Sequence, residues 1–536
     1  MMEFIKRNRN IILLATIFVF GFFLRVAGYD WGGNLIYQPD EPKLVDPVID
    51  MANRHSILSY DYYYPNQFLS KFQAIAVMLY RFVYNSGDKG VLQAYWICRI
   101  VTAVFGALTI ILVYMIGERL KEKVGLISAG IFAVSPYLVI MSKQVTGDIG
   151  ALFGSSITML SSIEYGRDKK YRYLVLMTLG SAIAMMEKWH GGGGTVYIAL
   201  IVLIYAVSFK DFVIRGIIAL SSFFLWIFVI APNVILNPKQ ALYDGFIRMA
   251  VHKGEPGPSY FALLWQFIEE SFLHIGGAVY VIAVLLGLII AVLRKEKKYC
   301  VLLFGVIKVL QLSFLNRGFW RWGLELYLTE ILCIAICVEW LFAKPHRVYK
   351  VISIIISAVI LIETATATLC IDMVAIRDEQ DNRTLQEQFC GENGITIDNT
   401  VSTPYSAFFP TGPRAGGVSE RAKNDLSNVI GHEDGQLVRL TDKLYYVWTD
   451  YPKDDESLVM ELDEKGLCMW TSKFDYWGVF ANPIWSIEHS WNDLILIGNN
   501  IKAIKNISNG AIIGTYYIKI YDISSLPISK NYDPDL

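Results

Sequence analysis

Apolar residues along this chain fall into long runs separated by short polar stretches. The runs lie near residues 11 to 28, 93 to 116, 125 to 141, 149 to 165, 174 to 187, 194 to 208, 214 to 231, 276 to 293, 299 to 316, 320 to 343 and 351 to 371. Each is about long enough to cross a hydrocarbon core of ~30 Å once tilt is allowed. The pattern predicts an α-helical polytopic membrane protein with about 11 transmembrane helices. The first run is too long for a removable signal peptide and lacks a small-residue cleavage site. One further apolar stretch, residues 66 to 84, is interrupted by Lys71, Gln73 and Arg81. It reads as a helix lying along the outer interface, inside a first outer loop spanning 29 to 92.

Orientation follows from the basic residues. The loops on one side carry 19 Lys and Arg in 47 residues, and those on the other carry 12 in 128. By the positive-inside rule the N-terminus is cytoplasmic, and an odd number of spans leaves the C-terminus outside. The division falls between a transmembrane portion, residues 1 to 374, and an extracytoplasmic α/β domain, residues 375 to 536. In the latter, strand-like runs occur at 443 to 448, 494 to 498 and 514 to 521. A helix should open it at Asp381 or Asn382, because Leu385 and Phe389 then share one face.

Composition supports the membrane reading. Charged residues are 18% and hydrophobic residues 54%, against about 25% charged in an ordinary soluble domain. A net charge of −1 without a domain-sized basic surface excludes nucleic acid as the expected partner. The seven cysteines show no metal-ligand spacing. Cys390 and Cys468 are the only two in the tail, where an oxidising exterior permits a disulfide.

Candidate chemistry collects on the outer face. Asp40 and Glu41 follow the first span, held in an extended turn by Pro39 and Pro42. Asp148 opens the fourth span, where it serves equally well as a helix cap. Glu187, Lys188 and His190 precede the run Gly191 to Gly194, which lacks the context of a phosphate loop and reads as a flexible outer turn. Arg317 and Arg321 stand at the ninth-to-tenth turn, with Glu325 just inside the next span. His190, His252, Glu187 and Glu255 offer donors for a divalent metal ion, although no spacing enforces ligand geometry. Lys308 and Glu330 lie at similar depth in consecutive spans and are expected to form a buried ion pair.

These motifs resemble the membrane glycosyltransferases of the GT-C superfamily, in the branch of protein O-mannosyltransferases and aminoarabinose transferases. The resemblance rests on Pro39-Asp40-Glu41-Pro42 after the first span and Tyr63-Tyr64-Pro65-Asn66 before the interfacial helix. It rests also on Ser142 to Asp148, Met186 to Trp189 and Asn316 to Arg321, and it covers residues 1 to about 340. It implies a GT-C-like fold and a polyprenyl-phosphate-linked sugar donor. It further implies inverting transfer outside the membrane to a protein, lipid or glycan hydroxyl.

By that resemblance Asp40 is the expected base, with Glu41 and Asp148 beside it. Lys188, Arg317, Arg321 and Lys71 are the expected cations for the lipid phosphate, and Tyr64, Glu187, His190 and Glu325 are further candidates. A base removes the acceptor proton as the bond to the anomeric carbon forms, and cations stabilise the departing phosphate. The compact chain and simple loops suit a bacterial plasma membrane. A transporter or lipid flippase is the rival reading, but such proteins show two related halves and a midplane site, whereas no internal repeat is visible here.

Topology is directly testable. Reporters fused after residue 90 and at residue 536 should both register outside the cell. A cytoplasmic signal from either overturns the eleven-span arrangement.

Overall fold

The computed structural model describes residues 9–31, 41–59, 67–84, 91–244, 259–273, 276–314, 320–376, 382–402, 429–449, 456–472, 476–477, 490–509, 513–514 and 518–530. Helices dominate the first two thirds. They are α1 (Arg9–Val26), α2 (Glu41–Asn53), α3 (Leu69–Tyr84), α4 (Val91–Leu120), α5 (Glu122–Ala133), α6 (Pro136–Ser142), α7 (Gly147–Asp168), α8 (Tyr171–Glu187), α9 (Gly193–Tyr205) and α10 (Phe209–Ile230). Then come α11 (Pro232–Leu236), α12 (Pro238–Leu242), α13 (Tyr260–Leu273), α14 (Ala278–Arg294), α15 (Leu303–Leu312), α16 (Leu324–Phe342) and α17 (Arg347–Ile376). Two compact units emerge: residues 1–29, 43–369 and 489–500 form one, and 30–42, 370–488 and 501–536 the other.

Among the described residues each of the eleven apolar runs is mainly helical. By length and apolarity alone, α1, α4, α10 and α17 suffice to cross a membrane, and the α5–α6 pair is a fifth if its 60° bend is one broken span. The others are shorter or more polar. α7 carries Asp148, Ser155, Ser156, Ser161 and Ser162, all buried, and α16 carries buried Glu325, Glu330 and Glu339. A helix enclosed by protein need not be apolar on every side, so hydropathy underestimates such elements. α10 and α14 instead expose Leu220, Phe224, Ile282, Ile289 and Val292, as lipid-facing surfaces do.

The break between α5 and α6 frees carbonyls that lipid cannot satisfy. Arg25, near the end of α1, closes it. Its guanidinium donates to Ala133 O at 2.9 Å and Phe132 O at 3.1 Å, and Thr368 Oγ1 donates to Val134 O at 2.8 Å. Lys143, just after α6, returns the favour to α1 by donating to Leu24 O at 2.6 Å and Ala27 O at 2.5 Å. Gly21 and Gly106 permit this closeness, since a Cβ at Gly21 would sit 3.3 Å from the Arg25 guanidinium and one at Gly106 3.0 Å from Ser142 Cβ. On the basic side of the bundle, Glu339 accepts from Lys121 at 2.6 Å and Arg294 at 3.3 Å, which fastens α5, α14 and α16.

The second unit is α/β. β1 (Thr400–Ser402), β4 (Tyr445–Thr449), β8 (Ile518–Asp522) and β5 (Cys468–Thr471) make a sheet in the order β1-β4-β8-β5, parallel between β1 and β4 and otherwise antiparallel. β2 (Ile430–Glu433) with β3 (Gln436–Arg439), and β6 (Tyr476–Trp477) with β7 (Ile513–Gly514), form two-stranded pairs. Alternation along the strands buries both faces of the main sheet. Val447, Ile518 and Ile520 pack with Cys390 and Ile395 beside α18 (Asn382–Glu392), whereas Tyr446 and Tyr521 pack with Val459 and Leu462 of α19 (Glu456–Glu464).

Two expectations fail here. Cys390 and Cys468 are free thiols. Cys390 packs into the cluster on one face of the sheet and Cys468 against the cluster on the other, so the sheet stands between them. The run Leu494 to Gly498 is helical, not extended, and belongs to α20 (Asp493–Ser508). Asn492 Oδ1 accepts from Leu494 N at 3.1 Å, and Leu496, Asn500, Ala503 and Ile507 are buried at helical spacing. A short apolar run does not distinguish strand from helix by period alone.

Replacing Arg25 with Met keeps length but leaves Ala133 O without its donor, at about 1–3 kcal/mol for a buried group, while Phe132 O keeps the Ser135 N–H at 3.4 Å. Thermal unfolding of the purified variant in lipid nanodiscs should show a lowered Tm. An unchanged Tm overturns the capping role.

Candidate active site

The candidate residues of the first unit are positioned by helix ends. α8 stops at Glu187 because Lys188 turns extended (φ −147, ψ 131), and a 3-10 turn over Trp189–Gly192 leads directly into α9. Gly191 to Gly194 are therefore helical and closely packed, not a flexible turn. Their φ values at Gly192 and Gly193 are negative, and a Cβ on Gly191 or Gly193 would collide with the Ala184 carbonyl or the Gln311 side chain. Glycine serves close approach here.

Glu187 faces back toward α3. Its Oε1 accepts from Phe68 N at 2.7 Å and Leu69 N at 2.8 Å, so one carboxylate closes the N-terminus of α3. Such donors are among the orphan N–H groups of any helix start. Gly147 and Gly150 of α7 make room for Glu187, since a Cβ at either position would strike its backbone or its carboxylate.

Asp148 lies in the first turn of α7 and is 3% exposed. It makes no capping hydrogen bond. Its carboxylate pairs with Lys188 at 2.6 Å. Among the described residues Asp148 Oδ2 and Glu187 Oε2 have no hydrogen-bond partner, although both atoms are buried. Two neighbouring buried carboxylates thus hold acceptor capacity in reserve, a costly arrangement in a purely structural site.

Lys308 of α15 supplies the centre of a second group. Its Nζ donates to His190 O at 2.6 Å, lies 3.1 Å from His190 Nδ1, and pairs with Glu325 at 3.6 Å. Ser155 Oγ donates to Glu325 Oε1 at 3.1 Å. This corrects the expected partner of Lys308: it is Glu325, and Glu330 instead accepts from Tyr280 OH at 3.1 Å. Equal residue counts misjudged the depth because α15 already ends at Leu312 and α16 starts only after a 3-10 turn, Trp320–Gly323. The role of Lys308 in this cluster was missed for the same reason.

An ammonium only donates, so Nδ1 of His190 must be the acceptor and Nε2 carries the proton. That Nε2 is buried without a partner among the described residues. The ring lies 5.2 Å from Trp322. His190 sits in the 3-10 turn between α8 and α9, and its pKa is held well below the usual imidazole value, first by burial and then by Lys308, Lys188 and Arg321. It is a neutral N–H donor surrounded by cations.

The structure thus gathers Asp148, Glu187, Lys188, His190, Arg321 and Glu325 around helix ends. Lys71 is engaged elsewhere, donating to Ile57 O at 2.8 Å. Glu41 opens α2 and is buried. Asp40, Tyr64, Arg317, His252 and Glu255 lie outside the described residues. Among the described residues no three His, Cys, Asp or Glu side chains stand close enough to hold a metal ion.

Comparison with known proteins agrees, over part of the chain, with the resemblance drawn from the motifs. Residues 74–242, just under a third of the chain, match the family described as dolichyl-phosphate-mannose-protein mannosyltransferase, and this stretch contains Asp148, Glu187, Lys188 and His190. No curated protein matches the chain significantly. Among solved structures, similarity extends to ArnT from Cupriavidus metallidurans bound to undecaprenyl phosphate (TM-score 0.49, 12% identity, 85% of this chain and 95% of that one). The apo state of ArnT gives TM-score 0.49 at 10% identity over 98% of this chain and 100% of that one. The oligosaccharyltransferase AglB from Archaeoglobus fulgidus, in complex with an inhibitory peptide and a dolichol-phosphate, gives TM-score 0.45 at 12% identity over 73% of this chain. The chain spans 60% of the length of AglB.

Histidine NMR on the ¹⁵N-labelled protein, with His190→Gln for assignment, tests the tautomer. His190 should keep its proton on Nε2 and show no titration between pH 8 and about 6, because its pKa lies below the free value of about 6.5. A midpoint near the free value overturns the assignment. The sign for stability follows: as pH falls through the free value the unfolded chain takes up this proton first, so His190 destabilises the fold on acidification.

Proposed function

We propose that this protein transfers a sugar from a polyprenyl-phosphate-linked donor to a hydroxyl acceptor at the extracytoplasmic face of a plasma membrane, with inversion. The observation that carries the reading is the gathering of buried Asp148 and Glu187 with part-buried Lys188 and His190 at neighbouring helix ends, met by buried Lys308 from α15, within and beside the segment that matches the mannosyltransferase family. The N-terminus is cytoplasmic in this reading, in keeping with the basic loops, and the tail is outside.

In the reaction the acceptor oxygen attacks the anomeric carbon from the face opposite the phosphate. As the new bond forms, Asp40 takes the hydroxyl proton, and the old bond breaks with its electron pair leaving on the lipid phosphate. Glu41 orients the base or the acceptor. Positive charge that builds on the sugar is stabilised by neighbouring carboxylates, Asp148 among them. The growing charge of the leaving phosphate is met by Lys188 and Arg321, joined by Arg317.

The pairing of Lys188 with Asp148 gives this arrangement a definite electrostatic consequence. A phosphodiester monoanion that gains a second charge as the glycosidic bond breaks competes with Asp148 for Lys188, so the Asp148 charge is less compensated beside the sugar. Donor capture and stabilisation of the oxocarbenium-like state are then coupled through one ion pair.

Asp40→Asn keeps shape but loses the basic oxygen, so turnover should fall by on the order of 10²-fold or more while donor binding persists. Lys188→Ala should raise the KM for the donor and lower kcat for the part of its interaction made only in the transition state. Purified variants assayed with a defined prenyl-phosphate sugar and a hydroxyl acceptor separate these effects. Near wild-type turnover by a well-inserted Asp40→Asn protein removes Asp40 as the base.

A further inference from the structure

The start of α20 is built into the transmembrane unit. Trp491 O accepts from Ala278 N at 3.1 Å and Asp493 Oδ1 accepts from Val279 N at 3.0 Å, so this segment closes the outer end of α14. Gly277 leaves space for it, since a Cβ there would sit 2.5 Å from Asp493 Oδ1. Two turns later Asn500 Nδ2 donates to Glu363 O at 3.3 Å and Thr366 Oγ1 at 2.9 Å on α17.

These partners fix the depth of α20. Glu363 and Thr366 precede the outer end of the eleventh apolar run, residue 371, by eight and five residues. At 1.5 Å per residue that is at most about 8–12 Å below the outer boundary, and because Glu363 Oε2 also accepts from Gly277 N at 3.4 Å at the outermost residues of the α14 run, this level lies between the boundary and that depth, within a half-thickness of about 15 Å. A helix at that level meets acyl chains wherever protein does not cover it. The uncovered side is apolar: Trp491 is 47%, Leu494 79% and Ile495 53% exposed. They share one stripe at helical spacing, with Leu496 and Asn500 buried on the other side. The stripe begins one hydrogen bond beyond the exposed face of α14, formed by Ile282, Leu285, Ile289 and Val292.

We infer that the first two turns of α20 lie in the outer leaflet, with Leu494 and Ile495 in the acyl-chain region and Trp491 near the headgroups. The occupant of this surface is lipid. An aliphatic pair of this exposure facing water is an aggregation liability, whereas in a leaflet it is ordinary, and tryptophan is enriched at the membrane boundary. The membrane unit is then completed by a segment that lies more than a hundred residues past its last span in sequence, so the tail is anchored to the bilayer at a second point.

The inference rests on α14 being a span, and the experiment separates the two. Nitroxide labels are placed on the full chain at Leu494→Cys, at Ile289→Cys on α14 and at Lys465→Cys in the tail, after replacing Cys300 and Cys468, the two cysteines that are not fully buried, with Ser. Power saturation in phospholipid nanodiscs then compares relaxation by oxygen, which partitions into lipid, with relaxation by a water-soluble nickel chelate. Labels at 494 and 289 should both favour oxygen several-fold, and the label at 465 should favour nickel. A label at 494 that behaves like the one at 465, while 289 reports lipid, overturns the inference and leaves the span intact. Shielding of 494 from both reagents also overturns it, since a protein surface then covers the stripe. A label at 289 that favours nickel removes α14 as a span and the inference with it.

Discussion

A lipid interior offers no water to a broken helix, so several helix ends among the described residues depend on a side chain from elsewhere in the chain. Arg25 and Thr368 close the bend between α5 and α6, and Lys143 closes the end of α1. Glu187 closes the start of α3, and Asp493 the start of α14. Each is a charged or polar group spending its hydrogen bonds on backbone, which accounts for several buried charges that hydropathy alone marks as anomalies.

That division also isolates the groups with capacity left over. Asp148 is paired to Lys188 through Oδ1 but keeps Oδ2 without a partner among the described residues, and His190 keeps a buried N–H without an acceptor there. Lys308 explains the second of these, because its ammonium claims Nδ1 and forces the proton to the far side of the ring. A neutral donor held among Lys188, Lys308 and Arg321 suits an anion: it adds a hydrogen bond without adding a further buried charge.

The apolar runs were legible at once, since each of the eleven is mainly helical among the described residues, and so were the helix at Asn382 and the strand at Tyr445. Less visible was anything decided by close packing or by helix type. Gly191 to Gly194 look like a loose turn until the Ala184 carbonyl and Gln311 are seen to need the missing Cβ atoms. Lys308 was assigned to Glu330 by counting α-helical residues across segments that contain 3-10 turns. Leu494 to Gly498 has the composition of a strand and becomes a helix because Asn492 caps it. In the candidate site, the convergence of Asp148, Lys188 and His190 follows from topology, whereas the tautomer of His190 depends on one ammonium from α15.

The exchange of caps between α1 and the α5–α6 break bears on how the protein is made. Arg25 and its acceptor Ala133 are 108 residues apart. At roughly 5–20 residues per second of synthesis, the first span waits about 5–20 s for its partner to emerge. During that interval Arg25 has no bend to close and Lys143 does not yet exist, so the end of α1 must reach its guanidinium to the outer headgroups. The reciprocal caps of α1 and of the α5–α6 bend can therefore close only after both halves of the bend have been made, which ties the finished end of the first helix to one arginine and one lysine.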